Sequence, residues 1–103
     1  MIRIGVVGGG TYGESHLTVF KDLEEGGQIQ LAALAEVKDD LREKRRNQFN
    51  IPVYADYREM LDKEQPDGVT VATPDHLHHD IAMAILNRGI HCFVEKPLDI
   101  TVQ

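Results

Sequence analysis

Cysteine is nearly absent from this sequence, because Cys92 is the only one among 103 residues. A single cysteine permits no disulfide within the chain, which is compatible with a reducing, cytoplasmic location. Long apolar runs are also missing: the stretch at residues 81–86 falls far short of the about 20 residues that a membrane span requires. A strand-like segment follows Met1 directly, so we expect no signal or transit peptide and no membrane contact.

Positively charged residues are also few: the sequence has 11 Lys and Arg residues but 17 Asp and Glu residues, which gives a formal net charge of −6. Such a surface repels nucleic acids, so we expect no nucleic-acid partner. Any bound phosphate must be held locally, by main-chain amides and a helix end. The 42% hydrophobic and 27% charged residues indicate a soluble globular protein. The length allows one modest domain, 1–103, and no second substrate-binding domain.

Apolar periodicity predicts strands that alternate with helices. The first helix is indicated by Leu17, Phe20 and Leu23, which recur near the helical period. Glycines at positions 26, 27 and 89 are placed to end helices. Short connections between alternating elements predict an α/β fold with a parallel sheet and helices on both faces. We expect a Rossmann-like, three-layer, doubly wound parallel sheet of about five strands in the order 3-2-1-4-5. The predicted strands are residues 2–7, 31–35, 53–54, 69–72 and 92–94, and the predicted helices are residues 12–24, 39–49, 57–62 and 77–88.

A basic run, Lys44 to Arg46, lies late in the second predicted helix. Cations are favourable near the C-terminal end of a helix dipole, so we expect these side chains to be solvated and not to form a nucleic-acid site. The same helix places Leu41, Arg45 and Phe49 on one face.

Glycines are concentrated at the end of the first strand, where Gly8, Gly10 and Gly13 form the pattern GxGxxG. The first glycine permits a tight turn, the second lets a pyrophosphate approach the main chain, and the third allows close packing of helix on strand. The helix N-terminus then offers free N–H groups and a partial positive charge. A strand before the motif and a helix after it therefore predict a dinucleotide site.

Glu36 ends the second strand at 36 − 13 = 23 residues after Gly13, close to the spacing of about 20 expected for a ribose-binding acid. A carboxylate can accept both hydroxyls of an NAD ribose, whereas a 2′-phosphate about 4 Å away would be repelled by roughly 1–4 kcal/mol. NAD is therefore favoured. Lys38 could offset that repulsion, so NADP is the less favoured alternative.

Two further motifs follow later strands. Residues 73–78 read TPDHLH and residues 95–97 read EKP, and both segments lie where open parallel sheets bind their ligands. Thr73 or Asp75 can also cap the next helix, and Pro74 can set the turn. Together with IRIGVVGGGTYGESH at the start and VYADYREML in the middle, these motifs resemble the glucose-fructose oxidoreductase, inositol dehydrogenase and MocA (Gfo/Idh/MocA) family of NAD(P)-dependent oxidoreductases over nearly the whole chain.

The resemblance implies the cofactor domain of a dehydrogenase acting on a sugar, polyol or related hydroxyl compound. It implies that Lys96 is catalytic, lying beside the nicotinamide and the substrate hydroxyl. An ammonium group suits that position because hydride removal develops negative charge on oxygen, and it could also help to move the proton. The implied cofactor contacts are Gly8, Gly10, Thr11, Tyr12, Gly13, Glu36, Thr73, Pro74, His78, Glu95 and Lys96.

Members of this family continue into a second α/β domain that supplies the substrate pocket. We therefore expect these 103 residues to bind the dinucleotide without turning over substrate by themselves. A sheet edge and apolar surface left uncovered favour pairing with a second copy, so we also expect a homo-oligomer.

Two other functions compete with this one. The first is a non-catalytic module that senses NAD(H) or controls assembly, and Lys96 separates the two because a sensor needs no cation at the hydride position. The second is another Rossmann-like enzyme such as a methyltransferase, which the spacing from Gly13 to Glu36 and the EKP motif disfavour.

Three histidines at positions 76, 78 and 79 resemble a metal cluster, but no cysteine lies nearby and no zinc-type spacing is present, so we expect no metal site. His16 could approach the cofactor or merely pack, and Cys92 is interpreted as a core residue.

Overall fold

A computed structural model of the chain describes residues 2–73 and 75–94. The side chains at positions 11, 12, 75–78 and 94 lie outside this description. Strands and helices alternate throughout, as the sequence predicts. The strands are β1 (Ile2–Val7), β2 (Ile29–Ala35), β3 (Val53–Tyr54), β4 (Gly68–Val71) and β5 (His91–Val94), and the helices are α1 (Thr11–Glu25), α2 (Asp39–Phe49), α3 (Tyr57–Glu64) and α4 (Asp75–Asn87).

The five strands form one parallel sheet in the order β3-β2-β1-β4-β5. Both the parallel arrangement and the order confirm the prediction. The chain leaves β1 in one direction to build β2 and β3, and then returns to the other side of β1 to build β4 and β5. This reversal places a crevice at the carboxyl end of β1, the position where doubly wound sheets bind ligands.

Helices cover both faces of the sheet and divide the core into two apolar layers. Helices α1 and α2 close one layer, which includes Val6, Leu17 and Leu34. Helices α3 and α4 close the other, which includes Met60, Val71 and Ile85. Val6 and Val71 are completely buried because strands of this sheet are covered on both sides. The three-layer architecture is therefore confirmed.

Glycine ends two of the helices in the predicted way. At the end of α1, the Gly27 amide bonds the Glu24 carbonyl and the Gln28 amide bonds the Leu23 carbonyl, a Schellman pattern with Gly27 at φ +81°. Gly89 has φ +74° just after α4. Asn50 and Gln65 adopt left-handed conformations after α2 and α3, where the sequence offers no glycine.

Several element bounds differ by one or two residues from the predicted ones. Strand β2 begins at Ile29 and not at residue 31, because Ile29 and Gln30 pair with the first residues of β1. Helix α4 begins at Asp75, two residues before the predicted start, and α3 continues two residues further, to Glu64. Among the helices of the described ranges, none has the length and apolar character needed to cross a bilayer.

Candidate functional site

The loops after β1, β2 and β4 meet at the carboxyl end of the sheet. Main-chain hydrogen bonds join them: the Gly8 amide donates to the Ala35 carbonyl at 2.8 Å, and the Ala72 amide donates to the Val7 carbonyl at 2.8 Å. The turn after β1 is thus fixed between the ends of its two neighbouring strands. Residues from three separate parts of the sequence are brought to one crevice.

Each glycine of the GxGxxG motif occupies a different steric environment. Gly8 has φ +102°, a conformation that side chains rarely adopt, so it makes the turn out of β1. A Cβ atom on Gly13 would lie 1.8 Å from the Gly8 carbonyl oxygen. Helix α1 could therefore not pack this closely on the turn if any residue other than glycine occupied position 13. A Cβ atom on Gly10 would meet nothing within 4 Å. The space above Gly10 is therefore open, as a bound pyrophosphate would require.

Helix α1 begins directly at this opening. Its N-cap is Gly10, which supplies no side-chain oxygen to the amides of the first turn. An N-terminus capped in this way directs N–H groups and a partial positive charge into the open space. This combination is suited to binding an anion.

The carboxylate of Glu36 faces the glycine loop, the turn of residues 8–10 between β1 and α1. Its Oε1 accepts a hydrogen bond from the Gly9 amide at 2.5 Å, and its Oε2 accepts one from the Lys38 amide at 2.9 Å. The residue is only 9% exposed. The turn after β2 is held in addition by Arg42, whose Nη1 donates to the carbonyls of Glu36 and Val37 at 2.9 and 3.0 Å. Glu36 therefore lies beside the loop, as its spacing predicts, and also braces it.

Arg45 corrects the interpretation of the basic run as a solvated face. Its side chain is buried, with 4% relative exposure, and its Nε donates to the Gly9 carbonyl at 2.7 Å. Arg46, the next residue, is exposed as predicted. The signal was present in the sequence, because Arg45 shares its helix face with Leu41 and with the buried Phe49. A charged residue at an inward position of an amphipathic helix needs a buried partner, here a loop carbonyl.

Glu14 and Gln48 complete the surroundings of the Arg45 guanidinium. Arg45 Nη1 donates to Gln48 Oε1 at 2.9 Å and lies 3.4 Å from Glu14 Oε2. Gln48 in turn donates to Glu14 Oε2 at 2.8 Å. The hydrogen bond from Gln48, with the positive charge of Arg45, lowers the pKa of the Glu14 carboxyl. Helices α1 and α2 are thus joined beside the glycine loop, a connection that the motif alone does not indicate.

The remaining predicted site residues are described only in part. Thr73 lies against the turn, since its Cγ2 would be 3.1 Å from a Cβ atom on Gly8. Thr11, Tyr12 and His78 lie within helices, but their side chains are outside the description. Pro74, Glu95 and Lys96 lie outside the described residues altogether. The structure therefore brings together Gly8, Gly10, Gly13, Glu36 and Thr73.

The histidines and the cysteine take other places. His16 Nδ1 is 3.2 Å from Thr70 Oγ1, and its ring meets the Phe20 ring edge-on, so His16 packs between α1 and β4. Cys92 is half-buried against the core, and burial raises the pKa of its thiol. The described residues include no cluster of three or more potential metal ligands. The side chains of His76 and His78 are not among them, so the absence of a metal site stays a prediction.

A second concavity lies at the opposite end of the sheet, with a volume of about 1020 Å³. It is lined by the first residues of the strands, such as Ile2 and Gly68, and by Phe20 and Phe93. No residue of the glycine loop contributes to it. This end of the molecule is separate from the crevice described above.

Residues 2–103 match the family GFO_IDH_MocA, described as an oxidoreductase family with an NAD-binding Rossmann fold. The chain is 32% identical over 102 residues to an inositol 2-dehydrogenase/D-chiro-inositol 3-dehydrogenase of Shouchella clausii, covering 97% of the chain and 29% of that protein. It is 30% identical to glycosyl hydrolase family 109 protein 1 of Shewanella sp. (strain ANA-3), covering 100% of the chain and 24% of that protein.

A solved structure shares the fold closely. It is the scyllo-inositol dehydrogenase of Lactobacillus casei with bound NAD(H) and scyllo-inositol, with a TM-score of 0.84 and 28% identity. The alignment covers 94% of this chain and 28% of that one. The chain thus spans about a quarter to a third of the length of the proteins it matches.

Proposed function

Because this chain belongs to the GFO_IDH_MocA family of oxidoreductases with an NAD-binding Rossmann fold, we propose that it supplies the NAD site for hydride exchange with a sugar or polyol. The substrate class rests on two relatives of the chain, one named as an inositol dehydrogenase and one as a glycosyl hydrolase. The hydride would leave a carbon that carries a hydroxyl group and would be accepted by the nicotinamide of NAD, while the hydroxyl would release its proton, with Lys96 helping to move it, so that a carbonyl forms.

The observation that carries the proposal is the open space above Gly10 at the start of α1. A Cβ atom there would meet nothing within 4 Å, although the neighbouring Gly8 and Gly13 are closely surrounded. A pyrophosphate can therefore approach the main chain and accept hydrogen bonds from the first turn of the helix. The negative charge of the whole chain makes such local binding necessary, because its surface attracts no anion in general.

Glu36 supports the choice of NAD over NADP. Its two oxygens already accept from the amides of Gly9 and Lys38, but each oxygen of a carboxylate can accept more than one hydrogen bond. The remaining lone pairs are available to ribose hydroxyls, whereas a 2′-phosphate would be repelled by the same charge. We propose that Glu36 selects the unphosphorylated ribose.

The other residues of the proposed site take their roles from the motifs of the family. Lys96 would act on the substrate hydroxyl. The nucleotide would be held by Gly8, Gly10, Thr11, Tyr12, Gly13, Glu36, Thr73, Pro74, His78, Glu95 and Lys96. The single cysteine supports a cytoplasmic location, and an exposed sheet edge supports self-association.

Calorimetric titration of the chain with NAD, NADP and S-adenosylmethionine tests the proposal. We expect NAD to bind, NADP to bind about tenfold more weakly because of repulsion at Glu36, and S-adenosylmethionine not to bind. Binding of S-adenosylmethionine alone would favour a methyltransferase and would contradict the proposal. Equal affinity for NAD and NADP would leave the dinucleotide site in place and would refute the role of Glu36.

A further inference from the structure

We infer that Arg45 is a positioning residue for the dinucleotide: its buried guanidinium fixes the Gly9 carbonyl and so directs the Gly10 amide toward the pyrophosphate. The inference rests on the proposed NAD site and adds to it a residue outside the GxGxxG motif. Arg45 itself lies behind the loop, where it contacts the main chain and not the open space.

Gly9 is held from both sides by opposite charges. Its amide donates to Glu36 Oε1 at 2.5 Å, and its carbonyl accepts from Arg45 Nε at 2.7 Å. Both charged side chains are more than nine-tenths buried. Hydrogen bonds to buried charged groups are stronger than neutral ones, so the peptide planes before and after Gly9 have little freedom to rotate. A glycine would otherwise be the most mobile residue of such a loop.

The planarity of the peptide bond transmits this restraint to Gly10. In a trans peptide the carbonyl of one residue and the amide of the next point in opposite directions. No cis peptide occurs in the described part of the chain, so a Gly9 carbonyl turned inward to Arg45 turns the Gly10 amide outward. A Cβ atom on Gly10 would meet nothing within 4 Å, so there is open space beside this residue, and we infer that the outward amide faces it. Arg45 thereby presents one more N–H group to an anion at the start of α1.

The identity of the side chain matters as well as its charge. In lysine a methylene occupies the position of Arg45 Nε, so Arg45→Lys retains the positive charge and the aliphatic stem but removes the donor to Gly9. Arg45→Met removes both charge and donor. Arg46→Met is the matched control, because it removes the same charge from the adjacent, exposed position of the same helix.

Titration of the four proteins with NAD, with thermal unfolding measured in parallel, tests the inference. We expect Arg45→Lys and Arg45→Met each to weaken NAD binding by about tenfold, and Arg46→Met to bind as the wild type does. Adenosine, which lacks the pyrophosphate, should bind the folded Arg45 variants and the wild type equally. A loss of adenosine affinity equal to the loss for NAD would overturn the positioning role, since it would show general damage to the site.

Two other results would also decide the matter. Wild-type affinity in Arg45→Lys would show that charge alone is needed, and the inference would be wrong while the NAD site stood. Failure of the wild type to bind NAD would instead refute the proposed function.

A measurement on the wild-type chain keeps the inference testable if the Arg45 variants do not fold. In nitrogen-15 NMR spectra, the Nε–H of Arg45 should exchange with water much more slowly than that of Arg46. The Gly10 amide signal should also move on addition of NAD. Fast exchange at Arg45, or a Gly10 signal that is unaffected by bound NAD, would overturn the inference.

Discussion

Gly10 is the N-cap of α1 and Gly13 lies in the first turn of that helix, yet a side chain would have different consequences at each. At Gly13 a Cβ atom would collide with the Gly8 carbonyl oxygen, so substitution there would disturb the fold itself. At Gly10 there is room, and φ is −75° in an extended conformation that any residue adopts. Gly10 is therefore the position where cofactor binding can be separated from folding.

We predict that Gly10→Ser lowers NAD affinity without lowering stability. Serine is a preferred N-cap, and its hydroxyl can accept from the first-turn amides that a pyrophosphate would otherwise use. The melting temperature should stay constant or rise, whereas the dissociation constant for NAD should rise about tenfold or more. Calorimetry and thermal unfolding measure the two effects.

Gly26→Ser provides the matched control, because it makes the same substitution at the other end of α1, where a Cβ atom meets only ordinary contacts. It should leave NAD affinity unchanged. If Gly10→Ser binds NAD as the wild type does, the pyrophosphate does not lie over Gly10.

At the same scale, sequence reasoning found the residues whose roles depend on local geometry. Gly8, Gly13 and Glu36 were identified because a motif and a spacing along the chain specify them. Arg45 was not, because it belongs to the basic run Lys44 to Arg46, and charged side chains are assigned to solvent by default. Its burial depends on a carbonyl 36 residues away in sequence, a contact that becomes visible only when α2 is packed beside the glycine loop.

The elements β1, β3 and α3 are joined by a cluster of polar side chains around Glu64. Arg3 Nη2 pairs with Glu64 Oε1 at 2.9 Å, and the Tyr54 hydroxyl donates to Glu64 Oε2 at 2.5 Å. This hydrogen bond, followed by burial and the negative charge of Glu64, raises the pKa of Tyr54 to about 12. Strand β3 pairs with β2 through only two residues, and the side-chain hydrogen bond of Tyr54 attaches it to α3 as well.

We predict that this attachment is lost at high pH. The folded chain holds the Tyr54 proton more tightly than the unfolded chain, whose tyrosines titrate near pH 10, so the stabilisation is complete below pH 10 and declines as pH rises toward 12. Tyr54→Phe should lower the free energy of unfolding by about 1 kcal/mol at neutral pH. The difference from the wild type should disappear between pH 10 and 12.

Urea unfolding followed by circular dichroism at a series of pH values measures this difference. Tyr57→Phe is the control, because it removes a phenol hydroxyl from the first residue of α3 and leaves the Tyr54 contact with Glu64 in place. A constant difference between wild type and Tyr54→Phe at all pH values would argue against the hydrogen bond.

Element types were predictable from periodicity, but their ends were set by neighbours. Strand β2 gained Ile29 and Gln30 because β1 supplies partners for them, and no pattern within residues 29–30 indicates this pairing. The helix ends at Gly27 and Gly89 were predicted from the glycines themselves, and the structure shows the positive φ that makes glycine suitable there. The end of α2 at Phe49 was predicted as observed, whereas α3 continues two residues past its predicted end to Glu64, because Gln65 adopts the left-handed conformation without a glycine signal.

For the whole molecule, the parallel sheet with helices on both faces followed from alternating elements with short loops, and the strand order followed from the Rossmann pattern that the glycine motif indicates. The position at which this chain could bind an anion did not follow from its composition. The net charge of −6 gives a surface that attracts no phosphate in general, yet the reversal of strand order at β1 leaves a crevice at the start of α1, with Arg45 buried behind its loop. The topology therefore provides the position at which we propose that an acidic protein binds a pyrophosphate.

Exposed apolar side chains lie at the end of the sheet opposite the glycine loop and on the edge strand β5. Phe93 on β5 is 58% exposed and Ile2 on β1 is 55% exposed, and both line the second concavity. Within the described ranges β5 pairs only with β4, so its outer edge carries unpaired main-chain groups. Exposed edges and apolar surfaces of this kind favour pairing between copies.

We predict that the chain self-associates through this edge and that Phe93→Lys weakens the association. Removing one exposed aromatic ring from a contact, and placing a lysine on the edge strand, should raise the dimer dissociation constant by about tenfold.

Val19→Lys is the matched control, since it introduces the same charge at a residue 55% exposed on α1. Sedimentation equilibrium over a range of concentrations should give masses above 11.6 kDa for the wild type and for Val19→Lys, but a mass nearer the monomer for Phe93→Lys. A wild-type mass that stays at the monomer value across the range would contradict self-association, and equal association of the two variants would place the contact elsewhere.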